Sequence, residues 1–223
     1  MHVLVLDTAL GACQAVVGTT DGVVACARLT PSVGQSEAIV RLAEEALTEA
    51  GIGARDLDRI GVVVGPGSFT GLRVGVAAAR ALALVAGCPA LGLSSLAALA
   101  TSLPETWDNP SVAAIDARHG AVYAQRFAPG RSPRFPASHI AVAALVAELE
   151  DGVVLVGSGA AALAEALAER GARPGAVDPL AAPDPEALLA LALAAEPPFN
   201  PPRPAYLKAP DAKPARSLVG RSR

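Results

Sequence analysis

The sequence has few of the residues from which metal and redox sites are built. It contains three histidines and three cysteines in 223 residues. The cysteines form no C-x-x-C pair, and no two histidines stand four residues apart. Transition-metal sites draw their ligands from such clusters. We therefore predict no transition-metal site, and we expect the cysteines to be small apolar residues in a reducing compartment: Cys13, Cys26 and Cys88.

Aromatic residues and clustered basic residues are also scarce. Aromatic residues make up 3% of the chain, and 18 basic against 21 acidic residues give a net charge of −3. Proteins that bind nucleic acid by themselves need a basic stripe for phosphates or aromatic platforms for bases. The composition therefore disfavours independent binding of nucleic acid.

The sequence shows neither a signal-peptide pattern nor a clear membrane span. The apolar run Val3 to Leu6 has no basic region before it and no cleavage site after it, which favours a strand. The longest apolar stretch, Val74 to Ala100, contains Arg80 and Pro89. An arginine near a bilayer centre costs roughly 2.5–3.5 kcal/mol. We expect a cytoplasmic protein without a membrane span.

Hydrophobic residues are abundant, at 52%, and the chain is organised around one apolar stretch. Residues 60–64 form a β-branched run typical of a buried strand, and Gly65-Pro66-Gly67 ends it. Ser68 or Thr70 can then cap an apolar helix over residues 72–86. The glycine loop before this helix is either a tight strand-to-helix turn or an anion site that uses free backbone N–H groups.

The first strand ends in a carboxylate and a hydroxyl. Residues 14–17 and 23–29 read as two further strands joined by a hairpin turn at Asp21-Gly22. At the end of the first strand, Asp7 could orient magnesium-bound water and Thr8 could donate to a phosphate. The alternative is that both residues only form the turn after the strand.

Two helices of the first half have different patterns. The helix predicted over residues 36–50 carries one apolar stripe, whereas the helix over residues 72–86 is apolar on all sides apart from Arg73 and Arg80. A helix of the second kind should be buried all round. We expect its small-residue face to meet another subunit, and complete burial within the chain is the alternative: Gly75, Ala78, Ala79, Leu82 and Val85.

The second half repeats the strand–helix plan after a junction at residues 101–110. Two strands flank a turn in which Asp116 and Arg118 either meet a nucleotide or partner or form a carboxylate–guanidinium contact. A buried strand over residues 153–156 leads into Gly157-Ser158-Gly159. We predict an N-terminal lobe at 1–102, a smaller C-terminal lobe at 110–207 and a flexible basic tail at 208–223.

Three of these elements, in this order, resemble the TsaB (YeaZ) family, and the resemblance extends over residues 3–208. The string Gly65-Pro66-Gly67-Ser68-Phe69-Thr70-Gly71-Leu72-Arg73-Val74-Gly75 is similar to the family signature. Similar family elements are Ile-Asp-Ala-Arg-x-Gly-x-Val-Tyr at residues 115–123 and Val-Gly-x-Gly at residues 156–159. The stretch Ala205 to Lys208 resembles the family's Tyr-Leu-Arg ending.

The resemblance implies an α/β fold of the actin/Hsp70/sugar-kinase type, with two lobes that each hold a mixed sheet and flanking helices. It implies a non-catalytic partner of a TsaD-like threonylcarbamoyltransferase and a TsaE-like ATPase, acting in the synthesis of threonylcarbamoyladenosine (t6A) in tRNA. The chain would contact tRNA only indirectly, could form a homodimer, and would meet nucleotide only within the complex, with no cofactor of its own. The implied partner interface comprises two helices: Ile39, Leu42, Ala43, Ala46, Arg73, Gly75, Ala78, Ala79 and Leu82.

Departures from the family pattern bear on the remaining candidates. Gln35 stands where family members often carry histidine, and Ser95 and Leu99 stand where TsaD-like relatives carry two metal-binding histidines. The alternative function is an ATP-binding phosphotransferase or ATPase, and a glycoprotease-like activity is disfavoured because the paired histidines are missing. Candidate nucleotide or phosphate contacts are Asp7, Thr8, Gly65, Gly67, Ser68, Gly157 and Gly159.

Overall fold

The computed structural model describes residues 1–29 and 38–208. Ten strands and six helices follow one another in these residues, with short 3₁₀ turns at Ala54–Asp56 and Pro129–Arg131. The first lobe contains β1 (Val3–Asp7), β2 (Cys13–Thr19), β3 (Gly22–Leu29), α1 (Ile39–Glu49), β4 (Arg59–Gly65), α2 (Phe69–Ala86), β5 (Ala90–Ser94) and α3 (Ser95–Thr101). Then come β6 (Ser111–Asp116), β7 (Ala121–Phe127), β8 (Ser138–Ala141), α4 (Val142–Val146), β9 (Val154–Val156), α5 (Ala160–Glu169), β10 (Ala176–Asp178) and α6 (Pro185–Ala194).

The first sheet has the strand order β3-β2-β1-β4-β5. β1 pairs antiparallel with β2 and parallel with β4, and all five residues of β1 are buried, as expected for a central strand covered on both faces. The predicted hairpin is confirmed, since Thr19 pairs with Gly22 and Gly22 has φ +124°. Only glycine adopts such a backbone without strain.

The second sheet repeats this plan in the order β10-β9-β6-β7-β8. β6 pairs antiparallel with β7 and parallel with β9, as β1 does with β2 and β4. Each sheet therefore consists of a three-stranded antiparallel meander extended by two parallel strands. This arrangement confirms the prediction of two lobes with mixed sheets and flanking helices.

Helices cover both faces of the first sheet. α1 and α2 pack on one face, in a core that includes Leu6, Val17 and Val62. α6 packs on the opposite face, where Leu188, Leu189 and Ala192 meet residues of β1, β4 and β5. α3 lies between the sheets, because Ala98 belongs to this second core whereas Leu96 and Leu99 pack on β6.

The position of α6 corrects the predicted lobe boundary. The prediction placed residues 110–207 in the C-terminal lobe, yet α6 packs on the first sheet. Gly11 N donates to Ala181 O at 2.8 Å, and Arg59 donates to the carbonyls of Ala192 and Ala195 at the end of α6. The second lobe therefore ends before α6, because the apolar side chains of this helix complete the core of the first lobe.

Helix ends differ from the predictions by a few residues. α2 begins at Phe69 rather than Leu72, because Ser68 caps it by accepting a hydrogen bond from Gly71 N at 3.2 Å. It ends at Gly87, which has φ +73° and is the usual left-handed cap. The predicted cap Ser36, the substituted position Gln35 and all of the basic tail except Lys208 lie outside the described residues.

α2 is also the one described helix with the length and hydropathy of a membrane span, judged by length and composition alone. In the fold it is a sheet-packing helix: Leu72, Val76 and Ala79 are buried against the first sheet. Packing on the sheet therefore explains the apolar residues along one side of α2.

Candidate functional site

Asp7 lies at the end of β1 and is fully buried. Its carboxylate accepts hydrogen bonds from Ala9 N at 2.8 Å and from Gln14 Nε2 at 3.3 Å. Burial raises the pKa of Asp7 to about 6, against the lowering effect of these hydrogen bonds and of Arg28. The same Gln14 amide donates to Pro183 O at 3.1 Å. Asp7 thus holds the β1–β2 turn from inside rather than facing solvent.

The hydroxyl of Thr8 is committed in the same way. It donates to Gly71 O in the first turn of α2 at 2.7 Å, and the residue is 5% exposed. A Cβ atom on Gly75 would lie 2.4 Å from this hydroxyl. The end of β1 and the start of α2 are therefore packed too closely for a phosphate group to enter between them.

The glycines of the loop before α2 permit this contact. A Cβ atom on Gly67 would lie 2.4 Å from Ala9 O, and one on Gly71 would lie 1.9 Å from Thr8 O. Ser68 N donates to Ala9 O at 2.8 Å, so this loop amide is used within the protein. Gly65 has φ +119°, a backbone conformation that would be strained in any residue with a side chain. These contacts favour the tight-turn interpretation of the loop over the anion site.

The second glycine pair has a similar packing role. Gly157 has φ +103°, and its Cβ atom would lie 2.3 Å from Ala114 O. Gly159 N donates to the same carbonyl at 3.0 Å. Between the glycines, the Ser158 hydroxyl accepts from Asp116 N at 3.1 Å. The turn thus fastens β9 to the end of β6.

Asp116 and Arg118 do not form the carboxylate–guanidinium contact that was one of the two predictions. Instead, Asp116 Oδ1 accepts from the backbone N–H of Arg118 at 2.8 Å. Arg118 and His119 have φ values of 64° and 53°, and Gly120 completes the left-handed turn. The short aspartate side chain reaches the backbone N–H two residues on, as in an Asx turn, and is therefore not paired with the guanidinium.

A cleft of about 510 Å³ lies between the two lobes. Of the residues proposed as nucleotide contacts, Gly67, Ser68, Asp116 and Arg118 line it, whereas Asp7 and Thr8 lie beneath its surface. Tyr123 and the backbone of the β1–β2 turn also line it, and neither was predicted. Its lining residues are Ala9, Leu10, Gly11, Gly67, Ser68, Ile115, Asp116, Ala117, Arg118, Tyr123, Ser158 and Ala181.

Most residues of the predicted partner interface are buried in the chain's own core, which corrects the prediction of the face. Only Arg73 is exposed and Leu82 is half-buried. The physical reason is close packing, since small residues let α2 approach the sheet and the apolar stripe of α1 packs beside it. The buried set is Ile39, Leu42, Ala43, Ala46, Gly75, Ala78 and Ala79.

The opposite side of α2 faces solvent. We call it the outer face; it consists of Phe69, Arg73, Ala77, Arg80, Ala81, Leu84 and Val85. These residues recur at three- and four-residue steps along the helix. Leu84 is 85% exposed, Val85 63% and Phe69 56%. Counting helical steps from the Ser68 cap groups these residues on one side of the helix, but it does not show that this side faces solvent.

An aromatic cluster marks the N-terminal end of the outer face. The guanidinium of Arg73 lies 3.8 Å from the ring centre of Phe69, and its Nε donates to the Tyr206 hydroxyl at 3.1 Å. The Phe69 and Tyr206 rings are 5.4 Å apart. Tyr206 reaches this place because Ala205 N donates to Val64 O at 2.7 Å. Residues 205–206 therefore extend the outer face beyond the helix.

No group of three His, Cys, Asp or Glu side chains suited to a metal ion is found in residues 1–29 and 38–208. Ser95 and Leu99, at the positions compared with metal-binding histidines, are both fully buried in the interior around α3. Burial raises the pKa of all three cysteine thiols, to about 11 for Cys13. Such thiols are poor metal ligands and nucleophiles.

Comparison with known proteins finds relatives among TsaD, TsaB and YeaZ proteins. The family model of TsaD, tRNA N6-adenosine threonylcarbamoyltransferase, matches residues 32–152, just over half of the chain. The tRNA threonylcarbamoyladenosine biosynthesis protein TsaB of Escherichia coli is 35% identical over 127 residues, which cover 55% of this chain. The match covers 53% of the E. coli protein, so the chain spans about half the length of that relative.

Solved structures extend the comparison. YeaZ from Pseudomonas aeruginosa is 26% identical and superimposes with a TM-score of 0.73, covering 86% of this chain and 90% of that chain. The ROK hexokinase of Thermus thermophilus gives a TM-score of 0.50 at 17% identity, over 86% of this chain and 98% of that one. The second likeness concerns the fold alone. Together they confirm the predicted α/β fold of the actin/Hsp70/sugar-kinase type.

Proposed function

Because the chain belongs to the family of the TsaD model and, within it, to the TsaB (YeaZ) group, we propose that it is a non-catalytic subunit in t6A biosynthesis. In this proposal the outer face of α2 docks a TsaD-like threonylcarbamoyltransferase. The single observation that carries the proposal is the exposure of large apolar side chains along one side of an 18-residue helix.

The end of β1 supports a role without catalysis by this chain. A phosphotransferase of this fold would need a carboxylate and a hydroxyl open to a metal-bound phosphate. Asp7 is fully buried and bonded to Gln14, and Thr8 donates to Gly71 O. These commitments weigh against the alternative of an ATP-binding phosphotransferase or ATPase.

The chemistry of the outer face defines the partner surface that would fit it. Leu84 and Val85 are apolar, while Arg73 and Arg80 supply positive charge among alanines. Aromatic residues and arginines are enriched among the residues that dominate binding energy. A partner helix with apolar side chains and flanking carboxylates would complement such a surface.

Large side chains outside α2 are also exposed. Val40 of α1 is 54% exposed, and Tyr206, which contacts Phe69 and Arg73, is 50% exposed. Stable interfaces bury about 1,200–2,000 Å² in total. The outer face, Val40 and Tyr206 together form the surface that we assign to this contact.

Docking would favour the active arrangement of the transferase if that arrangement binds this chain more tightly than the inactive one. A TsaE-like ATPase would act on the assembled pair, and tRNA would be bound by the complex rather than by this chain. The same surface could also join two copies of the chain, which would compete with the transferase. We place this assembly in the cytoplasm.

The substitution Ala81→Glu tests the proposed contact. It puts a charged side chain on the outer face, at a position where the native residue is exposed. We expect binding to the TsaD-like transferase of the same organism to weaken at least about 30-fold, since central interface positions control roughly 2 kcal/mol or more. Affinity is measured by calorimetry and complex mass by light scattering.

The matched control is Ala161→Glu, an exposed alanine on α5 in the second lobe. It should bind as the native chain does, and both variants should retain their unfolding temperature. Unchanged affinity of Ala81→Glu would contradict the docking face. Turnover of Mg-ATP by the isolated native chain would instead support the phosphotransferase alternative.

A further inference from the structure

A second cavity lies in the C-terminal lobe, at the end of β6 that is farther from the interlobe cleft. The cleft is lined by Ile115 and Asp116, whereas this cavity is lined by Ser111 and Val112, about 15 Å away along the strand. Its volume is about 370 Å³, within the range of small-molecule sites. We call it the β6 cavity.

Hydrogen bonds hold the walls of the β6 cavity. On one side, Arg134 N donates to Arg126 O at 2.9 Å and Gln125 Nε2 donates to Phe135 O at 3.1 Å. On the other side, Val154 N donates to Pro110 O at 3.0 Å. These hydrogen bonds within the chain fix the walls in place, which lowers the ordering cost of binding.

The charged residues of the cavity are separated by sign. The wall formed by β7 and residues 133–135 carries the guanidinium groups of Arg126 and Arg134. The connection from α4 to β9 carries three carboxylates, those of Glu148, Glu150 and Asp151. One ion pair joins the two walls, since Arg126 Nη2 lies 3.1 Å from Glu148 Oε2.

One charged group on each wall has no other commitment. Arg126 is fixed by Glu148 and by the Phe135 ring, whose centre lies 3.9 Å from the guanidinium carbon. Arg134 and Glu150 make no side-chain contact with charged or polar groups in the described part of the chain. A ligand can therefore reach one free guanidinium and one free carboxylate.

Apart from its charged residues and one buried hydroxyl, the residues around the cavity are mostly apolar. Val112 and Phe127 lie beneath its surface at 1% exposure, Leu149 and Val153 are 9% exposed or less, and Phe135 is 46% exposed. Ser111 also lines the cavity, and its buried hydroxyl has no hydrogen-bond partner among the described residues. An unpartnered buried hydroxyl costs free energy unless a water molecule or a ligand completes it.

We propose that the β6 cavity binds a small zwitterion with an apolar body, the chemistry of a free apolar α-amino acid. The ligand's carboxylate pairs with Arg134 and its ammonium group with Glu150. The apolar side chain lies against the Phe135 ring, next to Leu149. An anion alone would face three carboxylates and a cation alone two guanidinium groups, so a ligand with both charges matches the two walls best.

The test titrates the full chain with L-leucine, L-methionine and L-phenylalanine, followed by calorimetry and by chemical shifts of the lining residues. N-acetyl-L-leucine lacks the ammonium charge and L-leucinamide lacks the carboxylate. Each is expected to bind about tenfold more weakly than leucine, because each lacks one of the two charge-assisted hydrogen bonds. Equal binding of the blocked compounds would overturn the zwitterion assignment.

Variants locate the site. Arg134→Gln and Glu150→Gln should each weaken leucine binding about tenfold, while Arg55→Gln and Glu165→Gln, exposed charges elsewhere, should leave it unchanged. The Arg134→Gln variant should also bind leucine and leucinamide alike, a readout that a merely structural role would not produce. Absence of saturable binding by all three amino acids up to about 10 mM would overturn the proposal.

Discussion

The two lobes have the same strand plan, and they use it differently at the interlobe cleft. In each lobe the first strand ends in an aspartate whose Oδ1 accepts from the backbone N–H two residues on: Asp7 from Ala9, Asp116 from Arg118. In each lobe the next parallel strand leads into a turn at a glycine with positive φ: β4 ends at Gly65, and Gly157 directly follows β9. The turns are thus built by the same local chemistry.

The difference lies in what covers each aspartate. The Thr8 hydroxyl donates to Gly71 O and so connects the turn after β1 to the start of α2; Asp7 is fully buried. Asp116 is exposed and lines the cleft. In the first lobe, Asp7 is therefore inaccessible from the cleft. In the second lobe, its counterpart Asp116 is accessible from the cleft.

The helices that follow these turns also differ. α2 has 18 residues and presents Phe69, Leu84 and Val85 to solvent. α5 has 10 residues and exposes only alanines, glutamates and its cap residue Arg170. The first lobe therefore combines a buried aspartate at the end of β1 with an exposed apolar face on α2, which is the combination expected of a binding subunit.

The largest expected effect on stability comes from disrupting the contact between the loop before α2 and the turn after β1. Gly67→Ala puts Cβ 2.4 Å from the Ala9 carbonyl, which is backbone and cannot move aside; its counterpart Gly159→Ala meets the Val122 side chain at 2.9 Å. We expect Gly67→Ala to lower the free energy of unfolding by about 4 kcal/mol and Gly159→Ala by about 1–3 kcal/mol, measured by urea denaturation.

Gly53→Ala is the control for this pair, because its Cβ would lie 3.5 Å from the nearest atom, Asp56 Oδ2. It should change the free energy of unfolding by less than about 1 kcal/mol. A Gly67→Ala protein as stable as the native chain would show that the two turns are not packed as closely as the hydrogen bond from Ser68 N to Ala9 O implies.

A smaller effect concerns the charge of the buried aspartate. The folded-state pKa of Asp7 is about 6, above its ordinary value of 3.8, so the folded chain binds the proton more tightly than the unfolded chain. The contribution of Asp7 to stability is therefore fully present below about pH 4 and is lost as the pH rises through 6. At neutral pH the loss is about 3 kcal/mol, from two pKa units.

Asp7→Asn should remove this loss and raise the free energy of unfolding at neutral pH by up to about 3 kcal/mol. If the Gln14 amide turns so that its Oε1 accepts from the new Asn amide, its hydrogen bond to Pro183 O is lost, so the gain stays below this upper value. Urea unfolding between about pH 4 and pH 8 measures this effect, and parallel profiles for Asp7→Asn and the native chain would contradict the raised pKa.

Much of the fold could be predicted from the sequence, because its signals are local. The β-branched run ending at Gly65 and the Asp21-Gly22 hairpin each depend on neighbouring residues only, and the structure confirms them. The place of α6 could not be predicted, since Leu188 and Leu189 are apolar and would suit either lobe. Their partners on the first sheet lie about 100 residues or more away in sequence.

The candidate site was predicted less well for a related reason. α2 is apolar on nearly every side, so its pattern does not distinguish the face toward the sheet from the face toward solvent. Gly75 and Ala79 were assigned to the partner, yet close packing against Thr8 and the sheet requires these small residues. Likewise, the glycines of both turns are explained by backbone contacts from strands distant in sequence, which no local motif reveals.

The smallest expected effect on stability tests the difference between the helices most directly. The double substitution Leu84→Glu with Val85→Ala gives the end of α2 an exposed surface of the kind that α5 has. Both side chains are mostly exposed, so the free energy of unfolding should change by less than about 0.5 kcal/mol. Binding of the TsaD-like transferase should nevertheless fall at least about tenfold, because apolar burial is lost and the new carboxylate would face the carboxylates of the partner surface. Urea denaturation and calorimetry measure the two effects on one preparation. A variant that unfolds more easily but binds normally would mean that these side chains serve the fold, and the two lobes would then differ in packing rather than in partner binding.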